Sequence, residues 1–283
     1  MERVMIPVEE YAQRRERAAA LVAEAGYDVL VGNGTESDAS VVRYFSAYWP
    51  LFEMGGVAIA PSGRSALMVG MESAEFAVER GVIDNIHLMK EYRETADPEY
   101  PGVAGVGYRE VFESIGVTNP ERIGVAGWLC TNMAMYEGLR EAFPEAEIVN
   151  ADELTASMRA NKSPAELACL REGFRLGELA LAAMLEAMKP GMTELELAGI
   201  AVAELYANGA EGEAHTVYSF GGRRTTNAIS RSTHEPLRAG EIVQIDVGGR
   251  VDGYSPSVGR PVCLGKMNER QRRLVEFCRE MHY

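Results

Sequence analysis

The feature that most constrains the fold of this chain is a glycine-rich turn between two strand-like runs near its C-terminal end. The runs cover residues 241–247 and 257–264, and their β-branched and apolar residues predict two neighbouring strands. Asp246 stands at the edge of the turn, directly before Val-Gly-Gly. The pattern predicts a carboxylate at the end of a buried strand. That carboxylate is either a ligand or acid of an active site or a residue that caps the turn.

Length, composition and charge describe an ordinary globular chain. With 283 residues, of which 47% are hydrophobic and 25% charged, two domains are expected. No apolar run approaches the ~20 residues that span a bilayer, and the first residues lack the basic region and apolar core of a secretory signal. The formal net charge of −14 disfavours nucleic acid and anionic membranes as partners, because like charges repel.

The cysteines carry no sign of a disulfide framework or a zinc site. Cys130, Cys169, Cys263 and Cys278 are scattered, and no two of them have CxxC spacing. Reduced thiols of this kind are typical of reducing compartments. We therefore expect a cytoplasmic protein.

Helix and strand signals alternate along the first half of the chain. Residues 8–25 have the apolar spacing of an amphipathic helix that Gly26 ends. Residues 41–45 are predicted as a strand, and residues 56–60 pair with residues 66–69 as a hairpin. This alternation predicts an α/β domain.

A domain boundary is predicted near residues 150–152, after a loop at residues 92–107 that is rich in Pro, Gly and acidic residues. Three helical stretches follow, at residues 152–160, 164–188 and 193–207. The last two of these open with sequence signatures of capping boxes, Ser-Pro-Ala-Glu and Thr-Glu-Leu-Glu. Strand signals begin at Val217, and a final helix is predicted at residues 269–283.

The hairpin resembles the metal-binding hairpin of the pita-bread metallopeptidase family, which includes methionine aminopeptidase, Xaa-Pro aminopeptidase, prolidase and creatinase. In that family a strand ending in Ile-Asp-x-Gly supplies a first carboxylate, and a Gly-Tyr turn leads to a second. Asp246 and the pair Gly253-Tyr254 match these features. Three further segments resemble family elements in the same order along the chain: residues 42–45, 159–166 and 191–194.

The resemblance implies an α/β fold with two parts. Residues 1–150 would form a creatinase-like N-terminal α/β domain, and residues 151–283 the first half of a pita-bread α+β catalytic domain. The family's catalytic domain consists of two similar halves, and the remaining His and Glu metal ligands belong to the second half. By this comparison we expect the catalytic domain to be incomplete at the C-terminus, as in a fragment. The alternative is a protein that lacks half of the site.

The resemblance also implies a metal centre, with Asp246 as a metal ligand. Two divalent ions need hard oxygen donors, and together they generate hydroxide from bound water. Ser257 stands where the second carboxylate belongs, and a neutral hydroxyl is a poor substitute. Ile229 stands where the family places a substrate-facing histidine. The implied cofactor is therefore a divalent metal (Mn, Co or Zn), and a metal-free site is the alternative.

Other candidate site residues lie in the segments that border the family's cleft. The candidate acid–base residues are His215 and His234, and the candidate substrate-binding residues are Arg223, Arg224 and Tyr254. Two neighbouring guanidiniums after a Gly-Gly turn are suited to clamp a carboxylate. The alternative for each of the two histidines and the two arginines is a solvated loop position.

The predicted function is that of a hydrolase resembling Xaa-Pro aminopeptidase or creatinase, acting on a small peptide or amide-like C–N bond. Two alternatives remain: a metal-free amidinohydrolase resembling creatinase, and a non-catalytic protein that binds a small acidic or zwitterionic molecule. Family members commonly form homodimers. Trp49, Leu51 and Phe52 cluster in one loop and suit a partner contact, so a homodimer is expected here.

Overall fold

The computed structural model describes residues 3–94 and 102–283, so residues 95–101 of the predicted loop lie outside the described part. The chain forms two compact units. One is Ile6–Lys162, and the other is Ser163–Tyr283 together with the first residues of the chain. The division falls one helix later than the predicted boundary near residues 150–152. The helix Asp152–Ala160 belongs to the first unit because Leu154 and Met158 pack into its core.

The first unit is built on a mixed sheet of six strands within the described residues. The strand order is β4-β3-β2-β1-β5-β6. The pairs β1–β2 and β2–β3 are antiparallel, and the pairs β1–β5, β5–β6 and β3–β4 are parallel. The strands are β1 Val29–Gly34, β2 Gly55–Ile59, β3 Ser65–Val69, β4 Ile86–Leu88, β5 Arg122–Ala126 and β6 Glu147–Asn150.

Helices cover both faces of this sheet. Leu30 points into one core, while its neighbours Val29 and Val31 point into the other. The helices of the Leu30 side are α1 Val8–Glu24, α2 Ser40–Ser46, α3 Ala74–Arg80 and α6 Asp152–Ala160, and those of the other side are α4 Tyr108–Ser114 and α5 Met133–Ala142. A sheet between two helical layers is an α/β architecture, so the predicted class is confirmed.

The strand predicted at residues 41–45 is wrong, since this segment is part of helix α2. Val41, Val42 and Phe45 are all buried in the core beside β1. The i, i+1, i+4 spacing of these residues is the helical one, but a short apolar run does not distinguish a strand from a buried helix. The packing of the run against the sheet decided its conformation.

The second unit begins with two long helices, α7 Pro164–Ala187 and α8 Glu194–Ala207, and both predicted capping boxes are confirmed. Ser163 Oγ accepts a hydrogen bond from Glu166 N at 3.1 Å, and Glu166 Oε2 accepts one from Ser163 N at 2.7 Å. Thr193 and Glu196 form the equivalent pair of bonds at the start of α8. The caps satisfy backbone donors that otherwise lack partners.

An antiparallel sheet in the order β7-β8-β9 follows these helices. The strands are β7 Tyr218–Gly221, β8 Ile242–Val247 and β9 Val258–Cys263, and the last helix is α9 Glu269–His282. The predicted hairpin is thereby confirmed as β8 and β9. Val243, Ile245 and Val247 are fully buried, whereas Asp246, on the opposite face of β8, is half-buried.

Helix α7 approaches the end of β8 closely because it carries glycines at the point of contact. A Cβ atom at Gly173 would lie 2.7 Å from the carbonyl oxygen of Gly249, and one at Gly177 would lie 3.2 Å from that of Val247. Any side chain at Gly173 would push the helix away from the turn that follows Asp246. These glycines therefore place the site hairpin directly on α7.

Among the described residues, no helix has the length and apolar character needed to cross a bilayer.

Candidate active site

Asp246 lies on β8, the middle strand of the second unit's sheet. It lies opposite Tyr218 of β7 and Gly259 of β9. Its side chain is 25% exposed, but its Oδ1 atom is buried and has no hydrogen-bond partner among the described residues. A buried carboxylate oxygen without a donor is costly, so the arrangement calls for a further partner.

His215 is a titratable neighbour of that oxygen, with its Nε2 atom 3.4 Å from Asp246 Oδ1. Its Nδ1 atom lies 2.8 Å from the carbonyl oxygen of Thr216. A carbonyl oxygen only accepts, so Nδ1 carries a hydrogen, and Nε2 is the ring nitrogen on the side of Asp246. The His215 ring is held on its other side by Tyr218, whose ring centroid is 5.2 Å away.

The pair therefore places an imidazole nitrogen 3.4 Å from a carboxylate oxygen. With a neutral His215, a proton or a cation is needed between Nε2 and the carboxylate oxygen to make their approach favourable. Gly259 leaves the adjoining side open, because a Cβ atom there would be 3.7 Å from Asp246 Cγ. The two groups are thus placed to transfer a proton to or from a bound molecule.

The second carboxylate position does not contribute a charge. Ser257 is exposed and directly precedes β9. Ile229, which the sequence comparison predicted to take the place of a substrate-facing histidine, is 80% exposed in the loop between β7 and β8. In residues 3–94 and 102–283, no group of three or more His, Cys, Asp or Glu side chains is arranged to hold a metal ion. The residues present therefore do not fit a pair of divalent ions.

The two candidate arginines lie in a short 3-10 turn, Gly222–Thr226, that directly follows β7. Arg224 is engaged within its own loop. Its Nη2 atom donates to Ser230 Oγ at 2.9 Å and to the carbonyl oxygen of Arg231. Its Nε atom lies 3.3 Å from Glu194 Oε1. These contacts show that Arg224 stabilises its own loop. Arg223, by contrast, is exposed.

Glu194 organises this loop from the start of α8, and its carboxylate is fully buried. Oε1 accepts a hydrogen bond from Gly221 N at 3.0 Å. Oε2 accepts bonds from Thr233 N at 2.9 Å and Thr233 Oγ1 at 2.8 Å. Together with Arg224, these donors tie both ends of the segment 221–233 to one carboxylate. Glu194 is the last residue of the family-like segment 191–194, but its local pattern predicted only a helix start and not this role.

The remaining candidates, Tyr254 and His234, are held by structural contacts of their own segments. The Tyr254 hydroxyl donates to the buried carboxylate of Glu166 at 2.7 Å. His234 is exposed, and both its neighbours are tied to the first turn of α8 through the bonds Leu195 N to Thr233 O and Glu194 N to Glu235 O. The contact that brings two candidate side chains together is therefore that of His215 with Asp246.

Two sequence profiles match this chain and together account for most of its length. The profile of the creatinase/prolidase N-terminal domain matches residues 14–161. The profile of metallopeptidase family M24 matches residues 168–283. The two matched regions correspond closely to the two compact units.

Curated relatives include proteins named for peptidase and creatinase activity. A Xaa-Pro dipeptidase of Pyrococcus furiosus is 24% identical over 239 residues, which cover 84% of this chain and 62% of that protein. A Xaa-Pro dipeptidase of Lactobacillus helveticus is 27% identical over 53% of this chain and 41% of its own length. A creatinase of a Bacillus species is 23% identical over 51% of this chain and 36% of its own length. The chain thus spans less than two thirds of these relatives.

Solved structures show the same fold. The prolidase from Pyrococcus horikoshii OT3 superposes with a TM-score of 0.75 at 20% identity, covering 93% of this chain and 68% of that one. The recombinant prolidase from Thermococcus sibiricus gives a TM-score of 0.78 at 18% identity, covering 95% of this chain and 70% of that one. The predicted combination of a creatinase-like domain with a pita-bread domain is confirmed as a fold.

Proposed function

Because the chain belongs to the pita-bread metallopeptidase family M24 and has the family's creatinase/prolidase N-terminal domain, we propose that it is a hydrolase of an amide-like C–N bond. The substrate is a small peptide or a related small molecule. The relatives named as Xaa-Pro dipeptidases and as a creatinase support this class of reaction.

One observation carries the proposal: the 3.4 Å approach of His215 Nε2 to Asp246 Oδ1 on the open side of the β7–β9 sheet. Hydrolysis of a C–N bond requires an activated water molecule and a proton for the leaving nitrogen. A carboxylate and an imidazole held side by side supply the groups for both tasks. In this proposal His215 and Asp246 contact the reacting part of the substrate, and His234 remains the alternative acid–base residue.

We assign Arg223 to bind the end of the substrate that lies away from the reacting bond. Its guanidinium is exposed directly after β7, the strand that carries Tyr218 beside Asp246. A carboxylate is the natural partner for such a guanidinium. The substrate is therefore a small acidic or zwitterionic molecule, with the Tyr254 side of the hairpin as a further contact.

The family's metal chemistry bears on how the water is activated. A divalent ion lowers the pKa of bound water and polarises a carbonyl oxygen. Asp246 is one family ligand position, but Ser257 is a neutral hydroxyl at another. The residues therefore support at most a reduced metal centre in this part of the chain.

A second candidate function follows from the same two departures. Ser257 and Ile229 are both exposed, and neither supplies a carboxylate or an imidazole. This favours, as the alternative, a metal-free amidinohydrolase or a non-catalytic protein that keeps the cleft and binds the ligand. If the protein does not hydrolyse peptides, these two functions are the remaining candidates.

The assembly proposed is a cytoplasmic homodimer. Leu51 and Phe52 are 50% and 77% exposed, and Phe52 has a positive φ of 60°. Large apolar side chains at the tip of a loop are favoured where a partner covers them. Sedimentation at micromolar protein concentration tests the dimer, and Phe52→Ser is expected to shift the equilibrium towards the monomer.

The test of the hydrolase proposal uses the protein with Xaa-Pro dipeptides and with small amide and guanidino compounds. We expect release of product from at least one class, and loss of it in Asp246→Asn. Asp84→Asn, in the first unit, is the matched control and is expected to retain activity. If no class is turned over while a ligand still binds, the non-catalytic alternative is selected.

A further inference from the structure

The pairing of β7 with β8 brings the segment before β7 close to Asp246, but it does not by itself explain the direction of His215. His215 lies three residues before Tyr218, where β7 begins and which pairs with Asp246. Side chains alternate between the two faces of a sheet, so a straight extension of β7 would place His215 on the face opposite to Tyr218. His215 is nevertheless 3.4 Å from Asp246, and its ring centroid is 5.2 Å from that of Tyr218. The backbone before β7 therefore departs from a regular strand.

A second, short pairing continues the ladder beyond the end of β8. Residues 211–214 run antiparallel to residues 248–250. Their backbone hydrogen bonds are Ala214 N to Gly248 O at 2.8 Å, Arg250 N to Gly212 O at 2.9 Å and Glu211 N to Arg250 O at 2.9 Å. The chain on the far side of His215 is therefore bonded to the continuation of the strand that β7 pairs with.

The two pairings enclose a bulge that contains His215. Between β7 and the segment 211–214, residues 215–217 stand opposite Val247 alone. Extra residues in one strand bend it and change the direction of its side chains, and such bulges are frequent beside active sites. His215 therefore reaches the face of Asp246 because the chain is fixed at both ends of the bulge.

The carboxylate of Glu211 fixes the outer end of this arrangement, and its side chain is only 20% exposed. Oε1 accepts a hydrogen bond from Arg3 Nη2 at 2.7 Å. Oε2 accepts one from Gly253 N, at the tip of the β8–β9 hairpin, at 3.3 Å. Arg3 belongs to the same compact unit as Glu211, and hydrogen bonds to an ionised group are stronger than those between neutral groups. One side chain thus ties the segment 211–214 to the hairpin.

We propose that Glu211 is a positioning residue for the His215–Asp246 pair. Its carboxylate holds the segment 211–214 on the hairpin, and this segment sets the bulge that directs His215 towards Asp246. Glu211 acts through this segment rather than on the substrate. The inference rests on the proposed hydrolytic function for its effect on turnover, but the placement of His215 is measurable without a substrate.

The first measurement is the nitrogen-15 spectrum of the histidine rings, in which the His215 signal is assigned by its loss in His215→Gln. Glu211→Ala should shift this signal, because the bond from His215 Nδ1 to the Thr216 carbonyl at 2.8 Å lies within the bulge. Glu211→Gln keeps the shape and one acceptor oxygen, so it should restore most of the parent signal. Glu178→Ala, at an exposed position of α7, is the matched control and should leave the signal unchanged.

The second measurement is turnover of whichever substrate class the parent protein hydrolyses. Glu211→Ala should lower kcat at least about tenfold while KM stays within about twofold, because a misdirected imidazole impairs the chemical step more than binding. Glu211→Gln should recover most of kcat. Arg3→Gln should shift the His215 signal in the same direction as Glu211→Ala and by less, since the bond to Gly253 N is kept.

A His215 signal in Glu211→Ala that matches the parent's would overturn the proposal, as would equal shifts in Glu211→Ala and Glu211→Gln. If Glu211→Ala does not fold, an unchanged His215 signal in Arg3→Gln overturns it instead. Absence of turnover by the parent protein would refute the proposed function alone, because the spectrum is recorded without a substrate.

Discussion

The hydroxyl of Tyr254 donates a hydrogen bond to the carboxylate of Glu166 at 2.7 Å. Tyr254 is at the tip of the β8–β9 hairpin, and Glu166 is the buried capping residue in the first turn of α7. The same carboxylate accepts a bond from Ser163 N at 2.7 Å. One buried carboxylate therefore joins the start of the second unit's first helix to the turn of the β8–β9 hairpin.

Tyr254→Phe should destabilise the protein, because it removes a donor from a buried carboxylate. The expected loss in the free energy of unfolding is about 1–3 kcal/mol, measured by chemical denaturation. Tyr206→Phe is the matched control, since Tyr206 is 54% exposed on α8. Equal stability of Tyr254→Phe and the parent would show that the Tyr254 hydroxyl is not needed to stabilise the Glu166 carboxylate.

Arg224→Ala should destabilise the loop that follows β7. The change leaves the buried carboxylate of Glu194 without its guanidinium neighbour at 3.3 Å, at a cost of about 1–3 kcal/mol in the free energy of unfolding. Faster amide hydrogen exchange across residues 222–233 should accompany this loss. Arg223→Ala is the control, and it is expected to change stability by no more than about 0.5 kcal/mol.

Arg223→Ala should weaken the binding of a small carboxylate ligand. The exposed guanidinium supplies a charge-assisted bond worth roughly 1.5–3 kcal/mol, or about tenfold or more in affinity. Calorimetry with a ligand found by thermal-shift screening measures the effect. Arg270→Ala, on the exposed side of α9, is the charge-matched control, and equal losses in both variants would indicate only a general electrostatic effect.

Ser257→Asp should increase metal binding by returning a carboxylate to the position beside β9. A second charged oxygen donor lowers the cost of bringing a dication to Asp246 and favours a further equivalent. The measurement is the affinity and stoichiometry of Co²⁺ or Mn²⁺ by calorimetry. Ser257→Asn has a similar shape without the charge and should leave both quantities close to those of the parent protein.

The stability of the protein should fall in mild acid through His87 of β4. Burial lowers the pKa of His87 below 6.5, against a smaller opposing effect of Glu110. A histidine with a lower pKa in the folded state binds fewer protons there than in the unfolded chain. Its contribution to stability is therefore complete above pH 6.5 and is lost as the pH falls through the folded pKa.

His87→Gln should reduce that part of the pH dependence, which is measured by denaturant unfolding on both sides of pH 6.5. His282→Gln, at the exposed end of α9, should retain the full dependence. An unchanged acid sensitivity in His87→Gln would assign the effect to other groups.

Features that depend on a few neighbouring residues were predictable from the sequence. The capping boxes at Ser163 and Thr193 and the hairpin of β8 and β9 appear where their local patterns placed them. Caps and tight turns are specified by residues within one or two turns of the chain. The conformation of short segments was harder to predict. Residues 41–45 form part of helix α2 instead of a strand, and helix α4, Tyr108–Ser114, was not predicted.

The sequence by itself determined the family, the layered architecture and the position of Asp246 at the end of its strand. The tertiary structure alone decided which side chains meet. His215 reaches Asp246 because β7 pairs with β8, so that Tyr218 lies opposite the carboxylate. Arg223 and Arg224 are adjacent in sequence, yet Glu194 engages only the second of them. Contacts between distant residues depend on strand register and helix packing, which are set by the whole core rather than by any local pattern.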